Sequence, residues 1–406
     1  MGFNQEKYAQ DVLTGNDASY ILACAYPNLG ITYWEVNAVN HRPGAGVTVS
    51  YRVGTSAREY YMCATTAKIY GLNTPTLQRV DFAGLTIHVW QHPNDPELPA
   101  LPVAVSTKKM RELMGMPVNL ELKGYRPTRR AVVKVTPGDG SRGGAFVKVL
   151  RPPVAQSLAK RHRMLTQAGV SAPRVLREDP RGLVLISQMS GEPLANFLSR
   201  GLGRRAPDVL ESLWALLERL PISALNLTHR PAWSDRVGHY AHAAAVALPR
   251  IEMRARNVAQ GVEAIMRTTN PGPIVPVHGD FYEANIFVRN GMSGTTYAGV
   301  IDVDSLGPGY RIDDWACLLG HMSVLPHLAP SAYPDLREDL ATWVSILERR
   351  LPPAPLFARC AGVVLSLVAG AARQDGTTAW QTDAMGRISE AENWLHRAQR
   401  SLQTYM

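Results

Sequence analysis

Hydrophobic residues along this chain recur with two different periods, and the places where one period gives way to the other predict its elements. Over residues 1–108, a short helical pattern at 4–13 is followed by alternating runs at 47–53 (VTVSYRV), 60–66 and 85–91, separated by RPGAG, GTSA and HPNDPELP. Successive side chains of a strand face opposite sides, so alternation punctuated by glycine and proline predicts an antiparallel sheet. A helical stretch around 110–116 precedes strands at 118–123, 130–136 and 145–150, joined through GYRPTR and PGDGSRGG. The period then becomes helical over 154–168, with Val154, Leu158, Leu165 and Ala168 on one face and Gly169 as a stop signal. A strand at 183–189 (LVLISQM) ends at SGEP, and the pattern from 193 to 267 is mostly helical, interrupted by GLGRRAP and HRPAWSD. Beyond it lie the β-rich stretches PIVPVHGD, NIFV and AGVIDVD, then helices from 313 onward. The expectation is an α+β protein in three parts: a β-rich module at 1–108, a second β-rich part at 109–190 and a largely helical part at 191–406.

Composition narrows the class. With 406 residues, 46% hydrophobic and 19% charged, the chain has ample material for large cores and is neither disordered nor fibrous. The four cysteines are scattered with no CxxC pair, so a zinc ribbon or a disulfide framework is not indicated and a reducing cytoplasm is expected. The N-terminal segment lacks the apolar core of a signal peptide and reads as mature protein. The near-apolar run 360–372, bracketed by Arg359 and Arg373, is too short to span a bilayer and reads as a buried helix. The net charge of +9 is uneven: residues 1–110 balance to zero, 111–205 carry +12 and 206–406 carry −3. A basic stretch feeding an acidic one fits a polyphosphate ligand held between cations and metal-binding carboxylates, and fits a solvated surface or a nucleic-acid footprint equally.

The chemistry is carried by His278-Gly279-Asp280-Phe281-Tyr282-Glu283-Ala284-Asn285 and, with Asp302 coming 17 residues after Asn285, by Ile301-Asp302-Val303-Asp304. In-line phosphoryl transfer needs a carboxylate to accept the acceptor hydroxyl's proton, and an amide oxygen with a second carboxylate to hold Mg²⁺ against a triphosphate. Asp280 is the candidate base, with Asn285 and Asp302 as the metal ligands. Each piece alone reads equally well as a turn or a strand end; their order, spacing and apolar flanks (IVPV and AGVI) favour the catalytic reading.

These residues resemble the aminoglycoside phosphotransferase and choline kinase family, the small-molecule branch of the protein-kinase-like fold. HGDFYEAN is similar to the family's HGDxxxxN loop, and VIDVDSLGPGYRIDDWA to its IDxxxxxxGxxxxDxA region. The resemblance covers roughly 115–406 and implies a bilobal protein-kinase-like fold, with 109–190 as the nucleotide-binding lobe and 191–406 as the helical lobe carrying the catalytic loop. The 1–108 module is then an additional cap, similar in placement to that of the maltokinase-like branch. Asp314 falls where the family has an acid bracing the catalytic loop, and His278 takes a loop-fixing role rather than a metal-ligating one.

A kinase-like lobe also needs a cation for the α- and β-phosphates, and AFVKVLRP supplies Lys148, read with Phe146 pointing in and Lys148 out. No Asp or Glu lies between Leu150 and Arg177, so the following helix offers no glutamate to orient that lysine; Gln156 and His162 are the substitutes nearby. The first hairpin turn lacks GxGxxG but carries Arg126, Arg129 and Arg130, whose guanidinium forks suit phosphate. The glycine cluster 138–144 precedes the lysine strand with no GKS or GKT and reads as a flexible connector. By position, Gln188 and Met189 form the hinge that pairs with adenine. Glu283, Asp304 and His321 stand as candidate substrate contacts, and Trp315, Trp343, Trp380 and Trp394 as core residues.

The resemblance implies a kinase that uses ATP or GTP with Mg²⁺ to phosphorylate a hydroxyl of a small molecule. The acidic excess of 206–406 favours a cationic acceptor such as an amino sugar or aminoglycoside, and the cap shifts weight toward sugars. A nucleotide-binding pseudokinase is the alternative, motivated by the missing helix glutamate. A nucleic-acid partner is disfavoured because the basic stretch has no interleaved aromatics and no binding motif, and no membrane partner is expected.

Overall fold

A computed structural model describes residues 3–42, 44–140, 143–291, 296–372 and 378–404. The chain divides into two compact units, Met1–Lys160 with Arg174–Gln188, and Arg161–Pro173 with Met189–Met406.

The first unit holds two five-stranded antiparallel sheets. Strands β1 (Ile31–Arg42), β2 (Gly46–Thr55), β3 (Glu59–Thr65), β4 (Gln78–Phe82) and β5 (Leu85–Gln91) form the first, in the order β1-β2-β3-β5-β4. The helices Phe3–Thr14 and Asp17–Ala25 close its core, with Leu13, Ile21 and Leu22 buried against Val49, Tyr51 and Ile87. Strands β6 (Val118–Arg126), β7 (Arg130–Pro137), β8 (Ala145–Leu150), β9 (Val175–Asp179) and β10 (Leu183–Ser187) form the second, in the order β6-β7-β8-β10-β9. Its core, including Val133, Val147, Val149 and Leu185, packs with Leu98 and with Leu101 and Met110 from two short helices.

A buried polar network ties these two sheets. Asp95, 1% exposed, accepts from the Tyr125 hydroxyl at 2.7 Å and from the Thr128 N–H at 2.7 Å, while the Trp90 indole donates to Tyr125 at 3.3 Å. Thr128 sits at φ +63°, a left-handed conformation costly for a branched residue, and the Asp95 acceptor helps hold it there. The Arg151 guanidinium joins the same turn, donating to the Thr128 carbonyl at 3.2 Å and pairing with buried Glu97 at 3.0 Å.

Several expectations are corrected. The helix at 17–25, the strands β1 and β4, and the extension of β6 to Arg126 were not predicted. On the helix Pro152–Gln167 the buried stripe is Ala155, Leu158, Ala159, His162 and Leu165, whereas Val154 and Ala168 are exposed; the stripe starts one residue later than the predicted face. Gly169 does end this helix, at φ +68°. Phe146 and Lys148 do not face opposite ways: positions two apart share a face of a strand, and both lie half-buried opposite buried Ala145, Val147 and Val149. Ser141 and Arg142 of the 138–144 connector, and Arg373, lie outside the described residues.

The second unit is mostly helical and carries two small antiparallel sheets that present the motifs. Strands β11 (Glu192–Pro193), β13 (Ile286–Asn290) and β14 (Thr296–Val300) form one, and β12 (Ile274–Val277) pairs with β15 (Gly307–Tyr310) in the other. The apolar run extends further than the sequence indicated. Pro353–Ala371 is, among the described residues, one helix long and apolar enough to cross a membrane, but 78% of it is buried inside the protein, as befits a core helix. Trp315, Trp343 and Trp394 are buried as expected, while Trp380 is only half-buried.

Candidate active site

The catalytic-loop motif starts where β12 ends and is fixed by backbone hydrogen bonds to one buried acid. Asp314, on the helix Arg311–Leu328 that follows β15, is fully buried and accepts from the His278 N–H at 2.9 Å and the Gly279 N–H at 2.8 Å. Burial raises its pKa, opposed by Arg311, whose guanidinium lies 3.7 Å away, by His278 and by the two N–H groups. His278, with no exposed surface, donates from Nε2 to the Ile301 carbonyl at 2.9 Å, so its Nδ1 is the acceptor facing the Asp280 N–H at 3.3 Å. One ring nitrogen thus ties the loop to the segment that precedes Asp302, and the other fixes the loop's own turn at Asp280.

Gly279 takes φ +79°, and a Cβ there would lie 2.9 Å from both Cβ and the carbonyl oxygen of Ser305. Gly279→Ala is therefore expected to push the loop away from the 303–305 turn, costing about 1–3 kcal/mol of stability and lowering phosphoryl transfer at least tenfold. Chemical denaturation and an ADP-release assay check the two effects.

Asp280 and Asn285 meet across the loop. The Asn285 side chain is buried, and its Nδ2 donates to the Asp280 carbonyl at 3.0 Å and approaches Oδ2 at 3.5 Å. Burial pushes the Asp280 carboxyl above the usual range; the nearby charges of Asp302 and Asp304 push the same way, against His278 and a hydrogen bond from the Trp233 indole. Asp302 follows β14 and is brought beside Asn285 by the Ile301 N–H, which donates to the Asn285 carbonyl at 2.9 Å. It adopts φ +56° and ψ 52°, a strained conformation for a residue other than glycine. Asp280, Asn285 and Asp302 are thus gathered in one region of the second unit. Among the described residues no three His, Cys, Asp or Glu side chains form a metal cluster by themselves. One carboxylate and one amide oxygen is instead a donor set suited to Mg²⁺, which keeps waters and takes phosphate oxygens as its other ligands.

The remaining candidates fall in three places. Asp304 is half-buried in the turn Val303–Ser305. Glu283 is buried, which pushes its carboxyl up to about 7, and the His321 ring, brought down to about 4 by burial, lies 3.9 Å from it and stacks on Tyr282 with ring centroids 4.4 Å apart. With the His321 ring neutral near neutral pH, the contact is not an ion pair. In the first unit, Lys148 lies on β8 between Val132 and Val184, and Arg126, Arg129 and Arg130 are exposed at the β6–β7 turn. The exposed Gln188 donates its N–H to the Gly144 carbonyl at 2.9 Å; Met189, half-buried, begins the second unit's next segment. Gln156 is exposed, and His162 donates from Nδ1 to the Pro173 carbonyl at 2.7 Å.

Sequence reasoning missed two contributors. Arg161, buried on the helix Pro152–Gln167, donates to the Leu306 carbonyl at 3.1 Å and so holds the segment after Asp302. The HRPAWSD segment, read only as a break between helices, lines a cleft with Asp280; its proline and tryptophan were the available signal.

A site built of a braced HGD loop, an asparagine and a strand-end aspartate defines a phosphotransferase. The chain belongs to the phosphotransferase enzyme family, which it matches over residues 129–353, and is thereby an enzyme that transfers phosphoryl groups to alcohol acceptors. No curated protein matches it. Among solved structures it is similar to a thermostable mutant of aminoglycoside phosphotransferase APH(4)-Ia in ternary complex with ADP and hygromycin B, at 16% identity and TM-score 0.49, covering 72% of this chain and 98% of that one. An ethanolamine kinase from Plasmodium vivax aligns at 13% identity and TM-score 0.44, over 68% and 82% of the two chains. A choline kinase from Cryptosporidium parvum Iowa II aligns at 11% identity and TM-score 0.44, over 71% and 90%.

Proposed function

We propose that this phosphotransferase is a kinase that moves the γ-phosphoryl group of ATP or GTP to a hydroxyl of a small sugar-like molecule, with Mg²⁺. The observation that carries the reading is the meeting of Asp280, Asn285 and Asp302, with the amide nitrogen of Asn285 engaged by Asp280. In this reading Asp280 orients the acceptor hydroxyl and takes its proton as the acceptor oxygen bonds to the γ-phosphorus. The bond from that phosphorus to the bridging oxygen breaks, and its electron pair leaves on the nucleoside diphosphate. The raised pKa of Asp280 strengthens it as a base toward the hydroxyl. Asn285 Oδ1 and the Asp302 carboxylate would hold Mg²⁺, which when bound offsets charge on the triphosphate.

The 1–108 module is read as a cap, 109–190 as the nucleotide-binding part and 191–406 as the part that carries the chemistry. Lys148, Arg126, Arg129 and Arg130 are the phosphate contacts in this reading. Because the Gln188 N–H is engaged by Gly144, pairing with adenine falls to the Gln188 carbonyl and Met189. The four cysteines are free thiols, which supports a reducing, cytoplasmic setting.

The test is ADP release with ATP and Mg²⁺ over a panel of aminoglycosides, amino sugars, maltose, choline, homoserine, sugar acids and sugar phosphates. Release above the acceptor-free background with at least one member, abolished by EDTA, is expected. A nucleotide-induced thermal shift without release from any acceptor would favour the pseudokinase.

A further inference from the structure

The cleft that opens on Asp280 has a volume of about 410 Å³ and lies within the second unit. Its lining includes Arg230, Arg236, Trp233 and Tyr240, all contributed by the HRPAWSD segment and the helix after it. The two aromatic rings lie 6.1 Å apart at an interplanar angle of 33°, giving an extended apolar wall. Two carboxylates line the cleft, Asp280 and Asp313, and Asp313 is countered by the Arg359 guanidinium at 2.7 Å. Asp235, adjacent in sequence, accepts the Ala232 N–H at 2.8 Å. Arg230 donates to the Ser305 hydroxyl at 3.3 Å, and neither Arg230 nor Arg236 forms an ion pair among the described residues. Two guanidinium groups outside any such pair therefore line the cleft, a feature hidden in the sum over 206–406, while Asp302 and Asp304 act on Asp280 itself. That sum does not locate charge: acids such as Glu211, Glu252, Glu392 and Asp383 are paired with arginines elsewhere in the unit.

We propose that the acceptor is anionic, a hydroxylated sugar acid or sugar phosphate whose carboxylate or phosphate is gripped by Arg230 and Arg236 while its ring lies against Trp233 and Tyr240. This rests on Asp280 as the group that receives the hydroxyl, and it replaces the cationic acceptor expected from the acidic excess. A guanidinium fork binds either oxyanion in bidentate geometry, and an aromatic wall suits the apolar face of a pyranose. A cationic amino sugar would instead bring like charge against two guanidinium groups.

The experiment measures the unfolding temperature of the full chain saturated with Mg²⁺ and AMP-PNP, so that the nucleotide's own phosphate sites are filled. Glucuronate, glucose 1-phosphate, glucose and glucosamine are then titrated separately. At least one of the two anions is expected to raise the unfolding temperature where glucose and glucosamine do not, and which anion does so distinguishes carboxylate from phosphate. In Arg230→Gln/Arg236→Gln, whose folding is verified by its own unfolding transition, the half-saturating concentration is expected to rise at least about tenfold. A rise with glucosamine equal to or above that with the anions, no rise with either anion, or a rise retained in the double variant would overturn the proposal. The first shift, on adding AMP-PNP, reports separately on the kinase reading; its absence would overturn that reading.

Discussion

Replacing Asp280 with asparagine is expected to lower the turnover number by about 10²–10⁴-fold, the range lost when a positioned general base is removed, while the nucleotide still binds. The substitution keeps the size of the side chain and its place beside Asn285, so the loop should hold its shape. What is lost is the carboxylate, whose proton affinity burial and the neighbouring acids raise. The loss should appear in kcat and in kcat/KM alike, because the carboxylate acts on the hydroxyl as it attacks rather than on the bound ground state. Steady-state ADP release on an accepted substrate checks it. A variant with wild-type kcat would remove Asp280 from the catalytic role.

The second large effect is expected at Asp314, which touches no reacting group. Asp314→Ala leaves the His278 and Gly279 N–H groups without their acceptor and the neighbouring Arg311 without its counter-charge. Breaking a buried charged interaction of this kind costs about 3–5 kcal/mol, so the denaturation midpoint should fall sharply and activity with it. Asp314→Asn retains one oxygen acceptor and is expected to lose less stability. Its activity separates the brace from mere bulk: a folded Asn variant with depressed kcat would show that the loop's geometry depends on both N–H bonds.

The site was more legible in the sequence than the fold around it. HGDFYEAN and VIDVD are contiguous, chemically demanding strings, and the structure brings Asp280, Asn285 and Asp302 together through local bonds such as Ile301 to Asn285. β1 was hidden because register shifts between Ile31 and Tyr33 and between Val36 and Ala38 break the two-residue period, and because Tyr33, Val36 and Val39 are exposed apolar residues. The helix Asp17–Ala25 did carry a helical signature, with Ala18, Ile21, Leu22 and Ala25 buried at the expected spacing. The ties from Asp95 to the arginine turn and from Arg161 to Leu306 link residues 33 and 145 positions apart, and no local pattern announces contacts at such separations. The acidic excess of 206–406 is uninformative about the cleft for the same reason: a count along a segment does not say which of its charges line one surface.

In the proposed reaction Asp302 and Asn285 engage a nucleotide through Mg²⁺ beside Asp280. The most direct test of this engagement is the thermal shift produced by ATP with and without Mg²⁺ in the wild-type chain and in Asp302→Asn. The wild type is expected to show a shift that needs Mg²⁺ and is largely lost in the variant. A shift of equal size in both chains, or one independent of the ion, would contradict it.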